Sequence, residues 1–176
     1  MQNATYARTV RHQYPFPQAD RPDRVLAVLA AVCARPMDDL ELARHFSVHH
    51  RQGRYYADAA GYLGLVRLSG GYWRPERRGA DLNSTADENR RFETVGELVV
   101  ALPVFREAAI HLAVNGVLPP PDEIEGWIRA EDHALNRETA SRRAVTVHSW
   151  VANVAENSPG VIRALAPETP VAALTA

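Results

Sequence analysis

The chain has 176 residues, 46% of them hydrophobic, and a formal net charge of −1. That is the size of one ordinary domain, or of a small domain with an extension, with enough apolar material for a packed core. No apolar run approaches the roughly 20 residues needed to span a bilayer and the N-terminus carries no secretory h-region, so the expectation is a soluble cytoplasmic, nucleoid-associated protein with no membrane partner.

Residues 1–19 contain Pro15 and Pro17 and show no helical period, so they read as an N-terminal arm. Asp20 and Pro22 open a helix whose apolar positions are Val25, Leu26, Leu29, Val32 and Cys33. Cys33 is the only cysteine, which excludes an internal disulfide and a cysteine-based zinc site and leaves it as a small core hydrophobe. Pro36 breaks the helix. Asp38 and Glu41 have capping-box spacing before a short helix with Leu40, Ala43 and Phe46 turned inward. Ser47 to His49 form a tight turn, and a third helix runs from His50 to about Leu63, with Gly64 as its C-cap.

The period then changes from helical to alternating. Leu65–Ser69 and Tyr72–Pro75 read as two strands joined by Gly70-Gly71, a pair suited to a tight hairpin turn. The remainder reads as helical. Ser84 or Asp87 caps a helix with Phe92, Val95, Leu98, Val99 and Leu102, and Pro103 starts another with Phe105, Ala108, Ala109 and Leu112. Pro119 to Pro121 form a rigid connector, and Asp122 caps a helix bearing Trp127 and Ile128. Asn136 caps a longer helix with Ala140, Ala144, Val147, Val151 and Val154 on one face, and the proline-containing stretch after it reads as a loose tail.

Three helices followed by a hairpin is the order of a winged helix-turn-helix. The expected fold is therefore mainly α with a small β-hairpin wing, in four segments. They are an arm (1–19), a winged helix-turn-helix (20–82), an α-helical C-terminal extension packed on it (83–157), and a flexible tail (158–176).

Charge is distributed unevenly. From Arg44 to Arg78 there are seven arginines against two acids, whereas from residue 82 onward thirteen acids outnumber eight arginines. All basic residues are arginine, with no lysine, so cationic contacts take the forked form that suits phosphate and guanine. A basic middle on an otherwise acidic chain is the asymmetry of an anion-binding face.

At 100° per residue, the third helix places Gln52, Tyr56, Ala59, Ala60 and Leu63 on one stripe, assigned to the core. His50, Arg51, Arg54, Ala57, Asp58 and Gly61 fall opposite, with Tyr55 and Tyr62 on the flanks. The face is basic at its N-terminal end and small further along, as in a helix entering a major groove N-terminus first. Double-stranded DNA is thus the expected partner, with the helix over residues 49–58 at the groove and His49, His50, Arg51, Arg54, Tyr55 and Asp58 as its candidate contacts. Arg54 is the candidate for a guanine contact, with Asp58 four residues on as its restraint. Arg67 and Arg74 flank the hairpin and Arg77 and Arg78 follow it, as phosphate anchors. His49 and His50 have no third ligand at metal spacing and read as solvated or phosphate-facing. No metal or cofactor is expected. Arg142 and Arg143, with Thr146, form a second polar cluster, open between phosphate contact and pairing with acids such as Glu138.

The stretch Arg51 to Val66, RQGRYYADAAGYLGLV, resembles a winged-helix DNA-binding domain found in type II restriction enzymes and related proteins. The resemblance rests on Arg51-Gln52, Tyr55-Tyr56, Ala59-Ala60 and Tyr62-Leu63-Gly64-Leu65. It continues into Pro103-Val104-Phe105 and into Thr139, Arg142-Arg143, Thr146 and Trp150. Arg74-Pro75 stand where the family has Leu-Thr after the wing. The resemblance implies DNA target recognition in a restriction or defence setting. It supplies no nuclease, because the usual Glu-x-Lys needs a lysine this chain lacks. No hydrolase elbow, phosphate loop or zincin motif is present either, so a non-enzymatic chain is expected. A homodimer, or a nuclease domain or subunit, is the protein partner this admits. A transcriptional regulator on an operator and a winged-helix adaptor for protein contacts are the competing readings.

Overall fold

The computed structural model describes residues 16–19 and 21–166. The arm over 1–15, the helix start at Asp20 and the tail over 167–176 lie outside the described residues. Helix α1 (Asp23–Ala34) follows Pro22, whose ring presets a helical φ, and buries Val25, Val28, Leu29 and Val32. It stops where Arg35, restrained by Pro36, is extended at φ −162° and ψ 149°. Helix α2 (Asp39–His45) begins with the expected capping box. Asp38 accepts the Glu41 N–H at 2.7 Å, and the Glu41 carboxylate accepts the Asp38 N–H at 3.0 Å. Its inward stripe is Leu42, Ala43 and Phe46. Leu40, expected inward, is 54% exposed because two residues of helix rotate it about 200° from the buried Leu42.

Helix α3 (His50–Tyr62) follows a turn in which Ser47 takes a φ of 53°. It crosses α2 closely at Gly53, where a Cβ would stand 2.9 Å from the Ala43 backbone nitrogen. Strands β1 (Val66–Ser69) and β2 (Tyr72–Pro75) pair antiparallel across Gly70 and Gly71, whose φ values of 60° and 81° meet the demand of a two-residue hairpin turn. Trp73 points inward, fully buried, and its backbone bridges Met37 in the loop between α1 and α2. The next element, α4 (Arg77–Ser84), is absent from the sequence reading. Its only buried large hydrophobe is Leu82, too little for a periodic signal, and it forms because Gly79 lets the helix rest on the Leu65 carbonyl.

The next four helices are α5 (Glu88–Val100), α6 (Pro103–Asn115), α7 (Pro121–Glu131) and α8 (Arg137–Asn157). Three start where expected, and α7 starts two residues early. Asp87 and Asn136 cap α5 and α8 by accepting the Arg90 and Thr139 N–H groups. Asp122 is not a cap, since α7 begins at Pro121 with Pro120 before it. Ala140, Ala144, Val147, Trp150, Val151 and Val154 are buried along α8, which packs on α5, α6 and α7.

Two expectations are corrected by packing. Residues 158–163 are not loose: α9 (Pro159–Arg163) packs on α5, α6 and α8 and buries Ile162. Nor are residues 16–19 a free arm. Phe16 stacks on Phe105 at 5.6 Å and lies 5.6 Å from Tyr62, and Trp150 donates its indole N–H to the Ala19 carbonyl at 2.6 Å. Phe105 also meets Trp150 at 5.5 Å, so α3, α6 and α8 share one aromatic cluster within a continuous core. Among the described residues no helix is long and apolar enough to cross a membrane.

Candidate nucleic-acid interface

The turn before α3 delivers His49 as the N-cap. Its Nδ1 accepts the Arg51 N–H at 3.4 Å, and Gln52 Oε1 accepts the His49 N–H at 3.4 Å. Gln52 is therefore exposed and used in the cap, not in the core stripe where 100° spacing puts it. The His49 and His50 rings lie 4.1 Å apart, because His49 stands just outside the helix. Among the described residues no group of three His, Cys, Asp or Glu side chains is placed to hold a metal.

His50, Arg51 and Arg54 are exposed at the N-terminal end of α3. Beyond it the expected open face closes. Ala57, Asp58 and Gly61 are buried, because α1 and β1 pack on α3 and Tyr62 reaches the Phe105 cluster. Asp58, a candidate groove residue, is 8% exposed and is corrected to a support beneath the surface. Its Oδ2 lies 3.6 Å from Arg54 Nε. Burial pushes its carboxyl above the usual aspartate range, Arg54 opposes that shift, and nearby Asp39 adds to it. Arg54 Nη1 also lies 3.5 Å from Asp39 Oδ2, and Asp39 Oδ1 accepts the Trp73 indole N–H at 2.7 Å. Asp39 is thus where α2, α3 and the hairpin meet. Sequence reading missed it because Asp38 accounts for the cap and Asp39's partners lie 15 and 34 residues away. The one available signal was Trp73 itself, since a buried indole N–H requires an acceptor.

On the hairpin, Arg67 and Arg74 are directly paired across the strands and both are exposed. Arg67 Nε lies 3.4 Å from Glu76, so one of the two charges is partly balanced. Arg77 is exposed and Arg78 half-buried at the start of α4, beside a groove of about 540 Å³ that also takes in Glu76, Asp81, Thr85 and Thr94. No acidic residue occupies the first turn of α4.

The second arginine cluster divides. Arg142 is exposed and paired with Glu138 on its own helix. Arg143 is half-buried beside Tyr55 of α3. Burial lowers its guanidinium pKa, the Tyr55 oxygen opposes this, and Arg142 reinforces it. Its buried Nε has no hydrogen-bond partner among the described residues. The structure therefore brings Arg143 to the flank of α3 through Tyr55, while Arg142 stays with its intrahelical acid.

The described residues define a mainly α-helical protein with one small antiparallel hairpin. The chain belongs to the family described as a domain of unknown function (DUF7226), whose profile matches residues 24–158 and so takes in α1 through α8 together with the hairpin. No curated protein and no solved structure matches the chain.

Proposed function

We propose that residues 21–84 act as a winged helix-turn-helix on double-stranded DNA, with α3 entering the major groove N-terminus first and the hairpin as the wing. The observation that carries this reading is that the exposed side chains of α3 all lie at its N-terminal end, between His50 and Arg54, with His50, Arg51 and Arg54 among them. The positive end of a helix dipole and two forked cations together favour a phosphate-lined groove. Arg54 takes a base edge, where a bidentate guanine contact is worth roughly 1–3 kcal/mol of discrimination. Arg51, Arg74 and Arg77 take phosphates. The cross-strand Arg67–Arg74 pair supports this, because like charges directly opposite one another cost stability and a phosphate between them relieves that cost.

The resemblance in the Arg51–Val66 stretch points to target recognition in a restriction or defence setting, with any cleavage supplied by another chain or domain. The target is a base sequence or a modified base. Selection from random duplex pools, methylated and unmethylated, tests this. A recovered consensus is expected, with Arg54→Ala flattening the preference and Arg51→Ala weakening all duplexes alike. Equal effects from both variants would refute that division of labour.

A further inference from the structure

Arg54 is held from two directions. Asp58, one turn along α3, brings Oδ2 to 3.6 Å of its Nε, and Asp39, on the first turn of α2, brings Oδ2 to 3.5 Å of its Nη1. Neither contact involves Nη2, and the side chain stays 55% exposed. Asp39 is itself fixed by a different element. Its Oδ1 accepts the indole N–H of Trp73 at 2.7 Å, and Trp73 is fully buried at the centre of β2. The carboxylate therefore takes its orientation from the hairpin and passes it to the guanidinium.

We infer that Asp39 is a positioning residue for base recognition, coupling the seating of the hairpin to the direction in which Arg54 is presented to the groove. This rests on the DNA-binding reading above. An exposed arginine samples many rotamers, and a carboxylate anchored from outside its helix narrows them before DNA arrives. The same carboxylate repels phosphate. Asp39 accordingly raises discrimination between duplexes while lowering affinity for duplex in general, two effects of opposite sign that a purely structural residue does not produce.

The test compares the full-length protein with Asp39→Asn, whose carboxamide oxygen still accepts the Trp73 N–H while the charge at Arg54 is lost. Affinity is measured for the selected duplex and for random duplex. The expected result is a loss of about ten-fold in the preference ratio, with a higher affinity for random duplex. In an Arg54→Ala background, Asp39→Asn should cause no further loss, because it acts through that side chain. Trp73→Phe, which removes the indole donor and leaves the Asp39 charge, gives an independent reading and should also lower the ratio. Wild-type preference in both variants, or an Asp39→Asn loss as large without Arg54 as with it, overturns the inference while DNA binding stands. A wild-type protein that binds duplex with no preference overturns it equally. Failure of the wild type to bind duplex at all removes the underlying reading instead.

Discussion

Asp58 is a carboxylate that burial makes reluctant to ionise, and its effect on stability has a definite sign. Its folded pKa is raised above the ordinary 3.8, chiefly by desolvation. Below that ordinary value both folded and unfolded chains hold the proton, and Asp58 contributes no slope. Between it and the raised folded value the native state binds more protons than the unfolded one, so stability falls as pH rises, and above that window the cost is constant. The stability of the wild type minus that of Asp58→Asn should therefore decline upward from about pH 4 and then level off. Denaturant melts at a series of pH values measure this, and taking the difference cancels carboxylates such as Glu41, whose pKa is lowered by its own bonds to Asp38 and Arg35. A difference that rises with pH would show that the Arg54 contact outweighs burial. This residue also marks how far side-chain roles were legible. The Arg54–Asp58 spacing was readable as an i,i+4 restraint, but the enclosure of Asp58 was not, because it depends on α1 and β1 packing over the second half of α3.

At the scale of elements, the hairpin shows what local chemistry specifies and what it does not. Gly70-Gly71 between two alternating runs was enough to place both strands within one residue, since few other residues tolerate two successive positive φ values. Helix α4 behind it was illegible. Its start carries two arginines and no acid, against the usual dipole preference, and only Leu82 among its large side chains is buried. What holds it is contact: a Cβ on Gly79 would stand 2.0 Å from the Leu65 carbonyl oxygen. Gly79→Ala should thus push α4 off the Leu65 carbonyl and the Leu29 side chain of α1 and cost about 1–3 kcal/mol or more, even though alanine is the better helix former. Chemical denaturation reads this directly. A neutral or stabilising outcome would mean that the α4 contact is slack. Because Arg77 and Arg78 ride on α4, the same variant should also weaken duplex binding, whereas Gly53→Ala should act through the α2–α3 crossing and displace Arg54.

The molecule as a whole is tied by Phe105, which contacts Phe16, Tyr62 and Trp150 and so joins the three-helix-and-hairpin part to the helical part. The sequence showed each amphipathic stripe separately, including the Ala140–Val154 face of α8. It did not show that Tyr62 and Trp150 meet over Phe105, since no local pattern encodes which stripes face each other. The consequence is cooperativity. Unfolding followed by helical circular dichroism and by intrinsic tryptophan fluorescence, to which Trp73 and Trp150 contribute from the two parts, should give coincident transitions. Phe105→Ala should shift both by about 3–5 kcal/mol. Two separate transitions would show that the halves fold independently. Whether the basic surface over α3, the hairpin and the start of α4 binds duplex DNA, as proposed, is measured most directly by a salt series. Affinity for a random duplex, followed by fluorescence anisotropy, should fall log-linearly with salt, and Arg77→Ala should reduce that slope by about one. Binding that is absent at low salt, or indifferent to salt where it occurs, would contradict a DNA-binding role for this surface.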